Sequence, residues 1–290
     1  MLKMRNNKRM PQLPSKERVF AAACFLVGRI GRAFGSRVRH PCFIIGTGRC
    51  GTTLLVEILN SHPALAGYPG EANELWHPRL EPFETTSLDM PPIEIDPKRF
   101  CDVSVATWPA KHGEKIRDVF TGFQLITGTS KVFFAKSAMI SFMIPKILEV
   151  FPDARFIHIY RSGPPVLESY FKKNFGKYTR HVFTEKDYKA YCAKYWNACI
   201  LEIEQRKKNL SVERKDQFLE LSYEALCQNP REVLDAIAKF FGVPSDGFRF
   251  DISRISSQNY KVADYTKNPE GAELLDLMSA GMKLKGYLSV

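Results

Sequence analysis

The 290-residue chain has no Cys-x-x-Cys pair, no apolar run long enough to span a membrane and no recurring period. Its seven cysteines, Cys24, Cys42, Cys50, Cys101, Cys192, Cys199 and Cys227, leave one over and lack ligand spacing. That excludes a zinc module and a disulfide framework and implies a reducing compartment. The apolar run from Val19 to Ile30 is too short to cross a bilayer and is interrupted by Arg29. Gly28-Arg29-Ile30-Gly31-Arg32 makes a poor signal-peptide cleavage site. Without an internal period a repeat architecture is excluded. Beyond the first 40 residues no basic stripe interleaved with aromatics marks a nucleic-acid surface, so no nucleic-acid partner is expected.

What is present suits one enzyme-sized domain preceded by an arm, with the division expected between residues 1–40 and 41–290. Hydrophobic residues at 44% supply a core, and the net charge of +11 suits a polyanionic ligand, an acidic acceptor or a membrane surface. The arm carries Lys3, Arg5, Lys8, Arg9, Lys16, Arg18, Arg29, Arg32, Arg37 and Arg39 against a single acid, Glu17. It reads as a basic amphipathic segment for anionic lipid, as a helix packed on the domain, or as a disordered arm. A cytoplasmic setting with peripheral membrane contact through residues 1–40 is the expectation.

Residues 42–61 read as a buried strand (Cys42 to Ile45), a glycine-rich turn (Gly46 to Gly51) and a helix start marked by Leu54, Leu55, Ile58 and Leu59. A triphosphate-binding loop has Gly-x-x-x-x-Gly-Lys-[Ser/Thr], the lysine reaching the β- and γ-phosphates. Here Gly46 and Gly51 have the spacing, but Thr52 and Thr53 follow and the nearest cation, Arg49, lies inside the loop. Successive backbone N–H groups and a helix N-terminus, worth about half a positive charge, still bind an anion. The competing reading is an ordinary strand-to-helix turn with Thr52 as N-cap. Cys50 in this loop is either a thiol of lowered pKa beside a helix N-terminus or simply a small residue that fits.

A second strand, turn and helix start spans residues 152–171, with Arg161 at the strand end, Pro164 and Pro165 in the first helical turn and Ser169 eight residues after Arg161. Together the two elements resemble the sulfotransferases that use 3′-phosphoadenosine 5′-phosphosulfate (PAPS). The resemblance covers about Pro41 to Tyr287 and implies a P-loop-like three-layer α/β/α fold with a mostly parallel sheet. It implies that Arg49, Cys50, Gly51, Thr52 and Thr53 hold the 5′-phosphosulfate and that Arg161 and Ser169 hold the 3′-phosphate. Tyr223, in the segment Leu219 to Leu226, would lie near the adenine, and Lys261 would close over the cofactor from a C-terminal loop. The product would be 3′,5′-bisphosphoadenosine (PAP).

The same resemblance makes Glu71, in Gly70-Glu71, the general base for an acceptor hydroxyl, with His62 and His77 as rivals. His62 reads as a helix-end cap and His77 as a residue lining the acceptor cleft beside Trp76; His158, mid-strand, reads as core. Lys136, at the end of an apolar strand and followed by Ser137, would join Arg49 in neutralising the leaving oxygen. Transfer is expected to be in-line and metal-independent, because the sequence shows no acidic magnesium-binding cluster. A small-molecule, glycan or lipid acceptor is expected, with carbohydrate-like or lipid-linked hydroxyls favoured by the loop pattern. Trp76, Phe83, Phe100 and Trp108 are its candidate lining. The alternatives are a P-loop kinase using ATP and a non-catalytic nucleotide-binding protein at a membrane surface; oligomeric state is open.

Strands are expected over Cys42 to Ile45, Lys131 to Ala135, Arg155 to Tyr160 and Gln217 to Leu221. Helices are expected over Thr52 to Asn60, Ser141 to Phe151, Pro165 to Lys173, Thr184 to Lys208, Pro230 to Phe241 and Glu270 to Lys283. The Pro-, Glu- and Thr-rich stretch Pro78 to Asp102 reads as an acceptor-side loop.

Overall fold

Cys42, Phe43, Ile44 and Ile45 are buried on both faces of the strand they form, as a central parallel strand requires. In the computed structural model, residues 16–77, 97–106, 108–175, 184–210, 216–255, 265–267 and 269–288 are described. The elements run α1 (Lys16–Ala33), β1 (Cys42–Ile45), α2 (Thr52–Asn60), β2 (Leu65–Gly67), α3 (Asn73–Trp76), α4 (Pro97–Ala106) and α5 (His112–Thr127). There follow β3 (Val132–Lys136), α6 (Ile144–Val150), β4 (Arg155–Tyr160), α7 (Gly163–Asn174), α8 (Glu185–Lys208), β5 (Phe218–Ser222), α9 (Tyr223–Gln228), α10 (Pro230–Phe241) and α11 (Pro269–Leu284).

The five strands form one parallel sheet in the order β2-β3-β1-β4-β5. After β1 the chain leaves to one side of the sheet, and β4 returns on the other. The crevice beside the carboxyl end of β1 is therefore a topological switch point, where open α/β sheets bind ligands. Register fixes what meets there. Ile44 lies level with Lys136 and Ile45 with His158. Tyr160 lies level with Ser222, so the next residues, Arg161 and Tyr223, leave the sheet side by side.

Strands β1 and β4 match the expected spans, while β3 and β5 lie one residue later than expected. The helix expected over Ser141 to Phe151 begins only at Ile144. Ser137 caps a short 3-10 turn over Ala138–Ile140, and Ser141 is committed to the loop after β1. The described end of the expected acceptor-side loop is the helix α4. Elements β2, α3, α5 and α9 are not among those expected.

Residues 16–33 of the basic arm adopt the packed alternative. Helix α1 crosses α5 where Gly28 meets Gly122. A Cβ on Gly28 would sit 1.7 Å from the Asp118 carbonyl oxygen, and one on Gly122 would sit 1.8 Å from the Cys24 carbonyl oxygen. Arg32 Nε lies 3.2 Å from the buried carboxylate of Asp118, and the Val38 N–H donates to Thr121 Oγ1 at 3.2 Å. Under α5, Phe43, Phe120, Phe133 and Phe151 form a continuous ring cluster with Trp76.

Gly122→Ala should force α1 away from α5 and cost about 1–3 kcal/mol, the usual range for an overpacked contact. Urea unfolding of the variant checks this, and a midpoint equal to wild type would contradict the close crossing.

Candidate active site

The loop after β1 leaves almost no room for side chains. Gly46 has φ 142° and Gly51 φ 102°, and a Cβ at Gly46 would sit 2.2 Å from the Ile159 carbonyl oxygen. At Gly51 a Cβ would meet the Tyr223 ring at 2.3 Å, and at Gly48 it would meet the Tyr170 hydroxyl at 2.2 Å. Arg49 takes the left-handed conformation at φ 67°, a strained one for a side-chain-bearing residue. Ser141 ties down the loop's start: its hydroxyl accepts the Gly46 N–H at 2.9 Å and lies 3.0 Å from the Gly46 carbonyl.

Helix α2 begins at this loop with Gly51, not Thr52, as its N-cap, and no side chain caps it. Its first turn contains no acid. The N-cap itself offers no side-chain acceptor, and of the first amides the Thr52 N–H faces the Cys50 sulfur, a turn whose helix start can favour a bound anion. Thr52 is therefore not the N-cap that the competing reading of the turn expected.

Cys50 is fully buried, and burial pushes its thiol up to about 12, although hydrogen bonds with the Thr47 and backbone groups pull the other way. Its Sγ lies 2.6 Å from the Thr47 carbonyl. The lowered-pKa reading is therefore corrected: Cys50 is a buried thiol, the small residue that fits the loop.

Across the crevice, α7 supplies the second half. Arg49 Nε donates to Ser169 Oγ at 2.9 Å, so the loop cation already touches the α7 serine. The Arg161 guanidinium lies 4.4 Å over the Tyr223 ring, and its carbonyl accepts the Trp196 indole N–H at 3.0 Å. Arg49, Arg161, Ser169, Tyr223, Lys172 and Lys173 line a cleft of about 510 Å³, which also contains Glu168. Glu168 accepts the Tyr265 hydroxyl at 2.6 Å. Lys172 and Lys173 were not expected as site residues; their signal was helical spacing, three and four residues beyond Ser169 on one face of α7. Four cations against one carboxylate suit a ligand with two phosphate-like ends.

On the β3 side, Lys136 Nζ donates to Glu71 Oε1 at 2.6 Å. Lys136 is mostly covered and Glu71 half-exposed, so a proton acceptor and a cation meet at a reachable surface. Glu71 sits between Gly70, at φ 72°, and Ala72, at φ 53°, a tight reversal that aims it back at the sheet end. Lys261 lies outside the described residues, as do Phe83 and the side chain of Phe100.

The rival bases are committed elsewhere. His62 Nδ1 accepts the Ala64 N–H at 3.1 Å, which makes Nε2 the protonated nitrogen donating to the Pro244 carbonyl at 2.9 Å. His77 and Trp76, expected in an acceptor cleft, are corrected to the core: both are buried, and Trp76 packs edge-on to Phe43 at 5.7 Å. Trp108 packs against Trp76 at 6.2 Å and donates its indole N–H to the Trp76 carbonyl at 3.0 Å. His158 is buried with Nδ1 3.1 Å from Glu220. Burial alone would raise Glu220, but hydrogen bonds from His158, Lys285 and Lys207 hold its carboxyl well below the usual range. His158, Glu204 and Glu220 could together face a metal ion, yet Lys207 and Lys285 already pair with both carboxylates.

A model of the sulfotransferase family matches residues 41–247. Sulfotransferase STF1 from Mycobacterium tuberculosis H37Rv aligns with a TM-score of 0.58 at 15% identity, over 91% of this chain and 82% of that one. STF9 from Mycobacterium avium aligns at 0.55 and 14%, over 95% of this chain and 87% of that one. The sulfotransferase domain of the Synechococcus PCC 7002 olefin synthase aligns at 0.55 and 18%, over 88% and 97%. At such identities the likeness is one of fold. No curated protein matches the chain.

Burial pushes the His77 imidazole down to about 4 from its ordinary 6.5. The stability this neutral ring contributes is complete above pH 6.5 and is lost as pH falls through about 4. Unfolding free energy measured against pH should fall across that window in wild type and more gently in His77→Gln. Equal slopes would contradict a buried neutral ring.

Proposed function

Because this chain belongs to the sulfotransferase family, we propose that it moves a sulfuryl group from PAPS to an acceptor hydroxyl, carbohydrate-like or lipid-linked, with Glu71 as general base. The observation that carries this reading is the lysine-free glycine loop closed by the uncapped start of α2 and faced by Arg49, Arg161 and Ser169. The tight cradle, the cationic cleft and the ring of Tyr223 fit such a donor. Loop amides from Gly48 to Thr53 would hold its 5′ end, and Arg161, Ser169 and the α7 lysines its 3′-phosphate. Tyr223, with one face under Arg161, and Lys261 would bound the nucleoside.

When bound, PAPS supplies a sulfuryl group activated by a phosphate leaving group. Glu71 takes the acceptor's hydroxyl proton as the new sulfur–oxygen bond forms, and Lys136 and Arg49 neutralise the phosphate oxygen released as the old one breaks. Positioning and fixed charge would provide most of the rate, as in phosphoryl transfer. The short Lys136–Glu71 contact supports this division of work, because it sets base and cation within one hydrogen bond of each other.

With labelled PAPS and an acceptor panel, Glu71→Gln should lower kcat by roughly 10²–10⁴-fold, the usual contribution of a positioned base. Affinity for PAP should be unchanged, and wild type should turn over fully in chelator. A variant of undiminished kcat would remove Glu71 from the role, and loss of all activity in chelator would remove metal independence.

A further inference from the structure

Helix α1 is apolar on both faces. Its inner face, Cys24, Gly28 and Gly31, is spent on α5. Its outer face exposes Val19, Leu26 and Ile30 at 55–62% of their surface, and Phe34 just beyond the helix at 85%. These side chains recur at seven- and four-residue intervals, and the positions between them on that face are the exposed Ala22, Ala23 and Ala33. Surface leucines scattered singly are ordinary; a contiguous apolar stripe is not.

The charges beside the stripe are of one sign. Arg29 flanks it, Arg37 and Arg39 follow it exposed, and residues 1–40 hold ten basic residues and one acid. No described helix is long and apolar enough to cross a membrane. An apolar face edged by arginines on a helix too short to span is the chemistry of an interfacial helix on anionic lipid.

We propose that the outer face of α1 docks the enzyme on an anionic bilayer surface. A second protein would need no cationic border, whereas a phosphate-rich headgroup layer does. The Gly28–Gly122 crossing and the Arg32–Asp118 pair make α1 rigid with the domain, so docking also orients it. The start of α1 abuts the strand of chain leading to the proposed base. Glu17 Oε1 lies 3.6 Å from where a Cβ on Gly70 would be, and the rings of Phe20 and Tyr68 are 6.2 Å apart. Docking would therefore fix how the Glu71 segment, on the domain side of α1, is oriented to the lipid surface, which favours acceptor hydroxyls carried by a lipid. This last step rests on the sulfotransfer reading; the docking itself does not.

The test is co-sedimentation of the full chain with phosphatidylcholine vesicles, with and without phosphatidylserine, alongside Leu26→Glu/Ile30→Glu. Both substitutions lie on exposed positions, so Tm and PAP affinity should match wild type. Wild type should bind the anionic vesicles at least tenfold more tightly than the neutral ones, and the variant should lose tenfold or more. No binding by wild type, or equal binding by the variant, would overturn the proposal. So would a wild-type dimer in sedimentation equilibrium that the variant splits while vesicles go unbound, since the stripe would then be a self-association face. Vesicle binding that persists in a chain unable to bind PAP would refute the sulfotransfer reading and leave the docking intact.

Discussion

Everything at the proposed donor site depends on how closely other atoms approach the backbone after β1. The Ile159 carbonyl, the Tyr170 hydroxyl and the Tyr223 ring each occupy space that a Cβ at Gly46, Gly48 or Gly51 would need. Ser141 holds the loop from a third side. A loop so confined presents its amides in one arrangement, which is what allows a helix N-terminus to bind an anion without a lysine. The same packing explains the chemistry of its neighbours. Cys50 lies too deep to ionise, and Arg49 is forced into a left-handed conformation from which it reaches Ser169.

Charge is then distributed by the sheet. Parallel register delivers Lys136, Arg161 and Tyr223 to the same edge from three different strands, flanking β1 on both sides. Buried titratable groups away from that edge are neutralised locally: His62 through two backbone partners, Glu220 through His158 and two lysines. Among the described residues, cations gather in the cleft beside α7 and along the outer side of α1. That division fits an enzyme that holds a soluble anionic donor while resting on an anionic surface.

Much of this was legible in the sequence. Strand β1 is an unbroken apolar run, β4 is one interrupted by His158, and helices α2 and α10 carry strong helical periods; the spans of all four match expectation. The pairing of the Gly46 loop with Arg161 and Ser169 was readable because both halves are short local motifs. Strand β2 was not, since three residues show no alternation. Helix α5 does carry a helical period in Ile116, Val119, Phe120 and Phe123, but it lacks a polar cap; its N-cap is Lys111 in a left-handed conformation. The depth of Trp76 and His77 and the Gly28–Gly122 crossing arise only from long-range packing, which no local pattern encodes. The fold likeness to those sulfotransferases, at 14–18% identity, shows that the architecture persists where little of the sequence is shared.

The central claim is that a glycine loop without the triphosphate lysine binds a 3′,5′-bisphosphorylated adenosine. Calorimetric titration with PAP in the absence of metal, set beside ATP with magnesium, tests it directly. The account predicts binding of PAP that exceeds binding of ATP and that Arg161→Ala weakens by about 2 kcal/mol, as for a lost charged hydrogen bond. Saturable ATP–magnesium binding with no response to PAP would contradict it.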